Sequence, residues 1–233
     1  MKPEKIFVLR HAQSEGNVDK TVYARKPDYA LNLTPIGVIQ ANSAGIRLKA
    51  HKAMGKFAVY YSPFFRSIQT LNNVVVGLGK DNIDRNYIRE DPRIREQEWH
   101  GAMPESDYNE DKSDVMEREC FEYGKFYYRF DGGESSADVY DRVSDFLNTL
   151  NRDFEKNDFP NNVLLVTHGM TMRVFMHRWF HKTVADFHTW KNPHNCQYFT
   201  LTLNKNTNKY EFDFDIIEKY TINHNQYHCD LNI

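Results

Sequence analysis

Residues 6–17 read IFVLRHAQSEGN. The four apolar residues Ile6 to Leu9 are the kind of run that fills a buried strand. The run stops on Arg10 and His11, and small and polar residues follow. NVLLVTHG (162–169) repeats the pattern, an apolar run that ends on His168. Working outward, KIFVLR (5–10) and KFAVYYS (56–62) read as strands. LTPIGVIQANSAGIRLKAH (33–51) reads as a helix with Thr34 as N-cap and Pro35 in its first turn. PFFRSIQTLNNVVVGLG (63–79) reads as a helix closed by Gly77 or Gly79. NYIREDPRIREQEW (86–99) reads as extended chain broken at Pro92.

Residues 101–114 form a polar loop or insertion without a period, and 113–130 reads as a helix on a polar background. Residues 131–156 read as an amphipathic helix on Val139, Val143, Phe146, Leu147, Leu150 and Phe154. Residues 170–180 form a further helix, and 197–216 a hairpin around NKNTNK. Strands that alternate with helices predict an α/β three-layer sandwich: a mostly parallel central sheet with helices on both faces and a small cap insertion. In such sheets ligands bind beyond the carboxyl ends of the strands. His11 and His168 are thus expected at one edge, although the pattern does not fix the strand order.

The 233 residues suit a single domain over 1–233 with a cap at about 101–133. A hydrophobic share of 40% separates the chain from disordered material, and a net charge of −2 gives no global positive field for nucleic acid or an anionic membrane. No apolar run is long enough to span a bilayer, and the N-terminus does not read as a signal or transit peptide. Cys120, Cys196 and Cys229 are odd in number and far apart, which reads as reduced thiols in a cytoplasmic protein.

Four segments carry chemistry: LRHAQSEGN, SPFFRSIQT, RIREQEWHG and LLVTHG. Arg10 and Arg66 keep their charge and present planar donors that match a phosphoryl group. Two arginines that converge without carboxylate partners need an anion between them. Ser14 and Asn17 add neutral donors close to a helix start. A neutral His11 is able to attack phosphorus, and Glu96 is the candidate acid for the leaving alcohol. Singly, each residue reads as an ordinary surface or core position; the combination and its order give the reading its weight.

This combination resembles the histidine phosphatase superfamily, branch 1, also called the phosphoglycerate mutase-like family. Its Arg-His-Gly signature is similar to residues 10–12, its Ser-Pro-x-x-Arg-x-x-Gln-Thr segment to residues 62–70, and its second-histidine segment to LLVTHGMTMRVF. The wider run looks most like plant and fungal members, some of which are acid phosphatases. The resemblance implies His11 as a nucleophile that becomes phosphohistidine. It implies Arg10, Arg66 and His168 as phosphoryl ligands with Asn17 assisting, and Glu96 as proton donor and then base. It also implies no metal and no cofactor.

The sequence departs from the family at Ala12, which replaces the signature glycine, and at His100, where glycine is usual. The second departure leaves open whether Glu96 or Glu98 is the acid. The stretch between Glu96 and His168 leaves room only for a modest cap without an adjacent arginine pair, which favours hydrolysis over mutase-type phosphoryl transfer. A degraded phosphate-binding module is the third reading. The expected partner is a small phosphorylated metabolite, with Tyr23, Arg25 and Arg129 as candidates for reading the rest of it. Neither His177 with His181 nor the tail residues His224, His228 and Cys229 complete a ligand set for zinc.

Overall fold

The computed structural model describes residues 2–99, 119 and 122–219. Six strands form one sheet: β1 Lys5–Arg10, β2 Phe57–Tyr61, β3 Ile83–Glu90, β4 Asn162–Thr167, β5 Tyr198–Asn204 and β6 Lys209–Glu211, in the order β3-β2-β4-β1-β5-β6. The first four run parallel, and β5 and β6 add an antiparallel edge. Helices cover both faces: α1 Glu15–Val18, α2 Pro35–His51, α3 Phe65–Leu78, α4 Ser136–Phe154, α5 Gly169–Trp179 and α6 Val184–Thr189.

Strand β1 shows why its run is continuously apolar. Ile6 and Val8 join the core under α4 and α5, whereas Phe7 and Leu9 join the core under α2 and α3. A strand buried on both faces has no polar side to alternate with. Of the helix boundaries, α2 begins as expected, with the Thr34 hydroxyl accepting from Gly37 N at 3.0 Å, and α3 stops at Gly79 with φ +88°. The whole expected apolar stripe of α4 is buried. That helix starts later than its sequence period, at Ser136, because Gly132 takes φ +68° and Ser135 caps the first turn.

Three further elements differ from expectation. β3 begins at Ile83, before the expected extended segment, and Asp91 caps a 3-10 turn, Pro92–Ile94, that ends it. Helix α6, which periodicity missed, is set by a Thr183–Asp186 capping box. Of the expected 113–130 helix, residues 119, 122 and 123 are helical, whereas 125–127 form a turn and 128–130 have no regular structure; 113–118, 120 and 121 lie outside the described residues.

Helices α2 and α3 meet backbone to backbone. A Cβ on Gly45 would stand 2.1 Å from the Val74 carbonyl oxygen, and one on Gly77 2.1 Å from that of Asn42. Neither carbonyl moves without shifting a helix. Gly45→Ala is therefore expected to lower unfolding stability by about 3 kcal/mol, read from the urea midpoint; an unchanged midpoint would contradict this packing.

Candidate active site

The strand order brings the two histidines together. β1 and β4 are neighbours, with Arg10 opposite Thr167. The ladder runs one residue past their ends, through His11 N to Thr167 O at 2.8 Å. β2 lies on the other side of β4, and Ser62 N bonds Val166 O at 3.0 Å. Thus His11, His168 and Ser62 leave three adjacent strand ends at one edge.

The His11 and His168 rings lie 5.1 Å apart, centre to centre. His11 Nδ1 is 2.7 Å from the Ala12 carbonyl oxygen. A carbonyl only accepts, so Nδ1 carries the proton and Nε2 keeps its lone pair. His168 Nε2 is 2.7 Å from Ser62 Oγ and 3.2 Å from Ser67 Oγ. Ser62 Oγ also accepts from Phe64 N at 3.3 Å; with its own proton given to His168 Nε2, the ring carries its hydrogen on Nδ1. That Nδ1 is buried with no hydrogen-bond partner, and so is Arg10 Nε. Two buried donors left unsatisfied at one strand edge are what an anion site holds in the free protein.

Burial pushes both histidine pKa values well below the ordinary imidazole range. Arg66 is the next largest cause for each and Arg10 also contributes, while the Ala12 bond opposes the lowering for His11. Both rings are therefore neutral. The unfolded chain takes up these protons near pH 6.5 and the folded chain only at lower pH. Stability is thus full above about pH 7 and declines as pH falls through 6.5. The expected loss is on the order of 1 kcal/mol per pH unit for each of these two histidines. Urea midpoints at pH 7.5, 6.5 and 5.5 test this; a flat series would contradict the buried neutral pair.

Arg66 sits in the first turn of α3, and here the structure corrects the expectation of arginines without carboxylate partners. Asp28 accepts from Arg66 Nη1 at 2.9 Å and from Nη2 at 3.1 Å, and the Asp28 carbonyl accepts from Nη1 at 2.6 Å. Nε–H and the second Nη2–H remain for another acceptor. Arg10 Nη1 donates to the Pro193 carbonyl.

Asn17 commits its oxygen to Ser14 N, Ser14 Oγ and Asn195 Nδ2, at 3.0, 3.1 and 3.1 Å. Its own amide donors stay available. Ser14, expected as a phosphate donor, spends both its N–H and its hydroxyl on Asn17 and so acts as a cap. Ala12 costs no backbone strain, because the described non-glycine residues with positive φ are His181, Cys196 and Asn208.

Glu96 rests its carboxylate on the first turn of α5, the helix that His168 caps. Oε1 accepts from Thr171 N at 3.2 Å and Oε2 from Met170 N at 3.3 Å. Glu98 instead has its backbone N–H bonded to Glu134 Oε2. Of the two, Glu96 reaches the helix that starts at His168. Its segment is clamped by Arg142, whose guanidinium donates to the carbonyls of Arg93, Arg95 and Glu96 at 2.7, 2.9 and 3.0 Å while paired with Glu134.

Tyr23 belongs to this neighbourhood. Burial and Asp28 raise its pKa, and Arg66, Glu96 and Arg10 also act on it. Arg25 and Arg129 do not join the cluster: both are exposed, Arg25 beside Asp19 and Arg129 beside Asp138. Sequence reasoning missed Asp28, Ser67, Arg142 and Asn195. Ser62 and Thr70 stood inside the quoted SPFFRSIQT segment but were assigned nothing, and Thr70 Oγ1 accepts from Ala12 N at 2.9 Å.

Cys196 is buried, with its thiol pKa pushed up to about 12 by burial. His177 is enclosed by the rings of Phe126, Tyr140 and Phe187. No cluster of three His, Cys, Asp or Glu able to hold a metal occurs among the described residues, and none of their helices is long and apolar enough to cross a membrane. His100, Cys120, His224, His228, Cys229 and most of the expected cap lie outside the described residues.

Residues 6–213 match the model of the histidine phosphatase superfamily (branch 1). The phosphoglycerate mutase-like protein AT74H of Arabidopsis thaliana is 37% identical over 218 residues, which cover 87% of this chain and 75% of the relative. The broad-range acid phosphatase DET1 of Saccharomyces cerevisiae is 26% identical over 299 residues, covering 90% of this chain and 88% of the relative. Among solved structures, mycobacterial glucosyl-3-phosphoglycerate phosphatase complexed with VO3 shares the fold with a TM-score of 0.68 at 20% identity, covering 90% of this chain and 97% of that one.

Proposed function

Because the chain belongs to the histidine phosphatase superfamily, branch 1, we propose that it is a metal-independent phosphatase that hydrolyses small phosphomonoesters through a phosphohistidine on His11. The observation that carries this reading is the fixed tautomer of His11. Its Nδ1–H is tied to the Ala12 carbonyl, which leaves the Nε2 lone pair free, and its ring lies 5.1 Å, centre to centre, from that of His168, whose Nδ1, like Arg10 Nε, has no hydrogen-bond partner.

Nε2 attacks phosphorus, the ester P–O bond breaks, and its electron pair leaves on the alcohol oxygen. That oxygen takes the proton of the Glu96 carboxylic acid. The charge left on the imidazole ring is stabilised by the Ala12 carbonyl through Nδ1–H. Arg10, Arg66, His168 and the Asn17 amide hold the equatorial oxygens, where negative charge spreads in the transition state. In the second half the Glu96 carboxylate takes a proton from water, and the oxygen displaces His11 from phosphorus. Phosphate leaves, and both residues return to their starting states. The partner is a small phosphorylated metabolite, and the buried Cys196 thiol fits a reducing compartment, which we take to be the cytoplasm.

The test is p-nitrophenyl phosphate hydrolysis in EDTA, with labelled phosphate trapped by acid-free quenching and mapped to His11. Activity abolished by EDTA, or label on another residue, defeats the proposal. Bisphosphate-dependent interconversion of 2- and 3-phosphoglycerate that outpaces phosphate release would replace it with the mutase reading.

A further inference from the structure

The loop before β5 reaches across to Arg10 and His11. Residues 194–197 form a tight turn, closed by Gln197 N on His194 O at 3.0 Å, with Cys196 at φ +57° in its third position. A turn of this kind accommodates a positive φ there. His194 N donates to Gln197 Oε1 at 2.8 Å across the same turn. From this side the end of β1 is held through its backbone and its guanidinium. Arg10 N donates to Gln197 O at 3.0 Å, Cys196 N donates to His11 O at 3.3 Å, and Arg10 Nη1 donates to Pro193 O.

Asn195 occupies the second position of the turn. Its Nδ2 donates to His11 O and to Asn17 Oδ1, each at 3.1 Å. The His11 carbonyl only accepts, so the group that faces it is the amide nitrogen, and the other Nδ2 proton falls to Asn17. The same reasoning fixes Asn17. The Ser14 N–H and the Asn195 amide both donate, so Asn17 gives them its oxygen and turns its own NH2 away from them. Of the three donors on that oxygen, two belong to Ser14, the N-cap of the same short helix. Those two hold the amide within α1 but do not tie α1 to the strand edge. The Asn195 bond does, and it shares its nitrogen with the carbonyl of His11.

We propose that Asn195 is a positioning residue: with one amide nitrogen it sets Asn17 against His11, so that the Asn17 NH2 stands where a phosphoryl oxygen arrives. Asn195 acts through Asn17 and has no contact of its own with the reacting atoms. This rests on the phosphatase reading above. In its absence His11 O keeps the bond from Cys196 N, and His11 N keeps its bond to Thr167 O. The loss therefore falls on Asn17 and not on the nucleophile.

A double-mutant cycle on p-nitrophenyl phosphate hydrolysis tests this. Asn17→Ala and Asn195→Ala are each expected to lower kcat/KM about ten-fold. The double variant is expected to stay within about two-fold of Asn17→Ala alone, because Asn195 acts through a side chain already removed. Asn195→Leu keeps the bulk of the side chain while removing its donors, and it carries the same cycle if the alanine variant does not fold. Losses that multiply to about a hundred-fold, as general damage to the loop would produce, overturn the inference while the phosphatase reading stands. So does either single variant with the activity of the wild type. A wild type inert on p-nitrophenyl phosphate and on glycerol 3-phosphate overturns the phosphatase reading itself.

Discussion

Replacing His11 by alanine is expected to reduce kcat for p-nitrophenyl phosphate by at least about 10⁴-fold, the scale seen when a covalent nucleophile is removed. The expected size follows from the site. Arg10, Arg66 and His168 still bind the phosphoryl group in the variant, so KM changes little. No second imidazole described at this edge takes its place. His168 has its Nε2 engaged by Ser62 Oγ, and its Nδ1 is buried. Because Ala12 fixes the His11 tautomer and burial keeps the ring neutral, activity should persist well below pH 6.5, where an ordinary histidine nucleophile would already be protonated. A residual rate within a hundred-fold of wild type, with the fold intact by circular dichroism, would place the chemistry elsewhere.

Glu96→Gln is expected to produce the next largest loss, and its size should depend on the leaving group. Glutamine keeps the shape, and its one oxygen accepts from Thr171 N or Met170 N but not from both; it has no acidic proton to give. An alkyl phosphate needs that proton, so its rate should fall by about 10²- to 10⁴-fold. p-Nitrophenolate is a stable anion and leaves without one, so its phosphorylation step should fall far less. Single-turnover release of p-nitrophenol compared with release of glycerol from its phosphate separates the two. Equal losses for both esters would make Glu96 a support for α5 rather than an acid, and the same pair of assays on Glu98→Gln would then identify the donor.

The parts of this fold that read clearly from the sequence are those where local chemistry sets the structure. Thr34-Pro35 began a helix, Gly79 ended one, and the apolar stripe from Val139 to Phe154 predicted its buried face. β1 and β4 read as strands because both faces of each are covered. The edge strand β3 did not, since Asp84, Arg85 and Asn86 face outward there and carry no apolar signal. For the site, the residues that end strands were legible, because an arginine or histidine after an apolar run is out of place in a core. The residues that hold them were not. Asp28 reaches Arg66 from a single 3-10 turn, Asp28–Ala30, too short to show a period, and Arg142 reaches the Glu96 segment from a helix position that reads as an ordinary charged face. Such pairings arise from tertiary packing, which spacing along one element does not encode. The strand order belongs to the same class: only β4 lying between β1 and β2 sets Ser62 against His168.

The bidentate grip of Asp28 on Arg66 bears on how each cycle finishes. A guanidinium sunk in protein with no counter-charge would cling to inorganic phosphate, since releasing the product would strand the cation. With a carboxylate already in attendance, the resting form stays electrically balanced at that position, and the spent dianion departs without leaving a bare charge behind. In the proposed reaction the same aspartate would weaken the hold on phosphate and so free the site for the next ester.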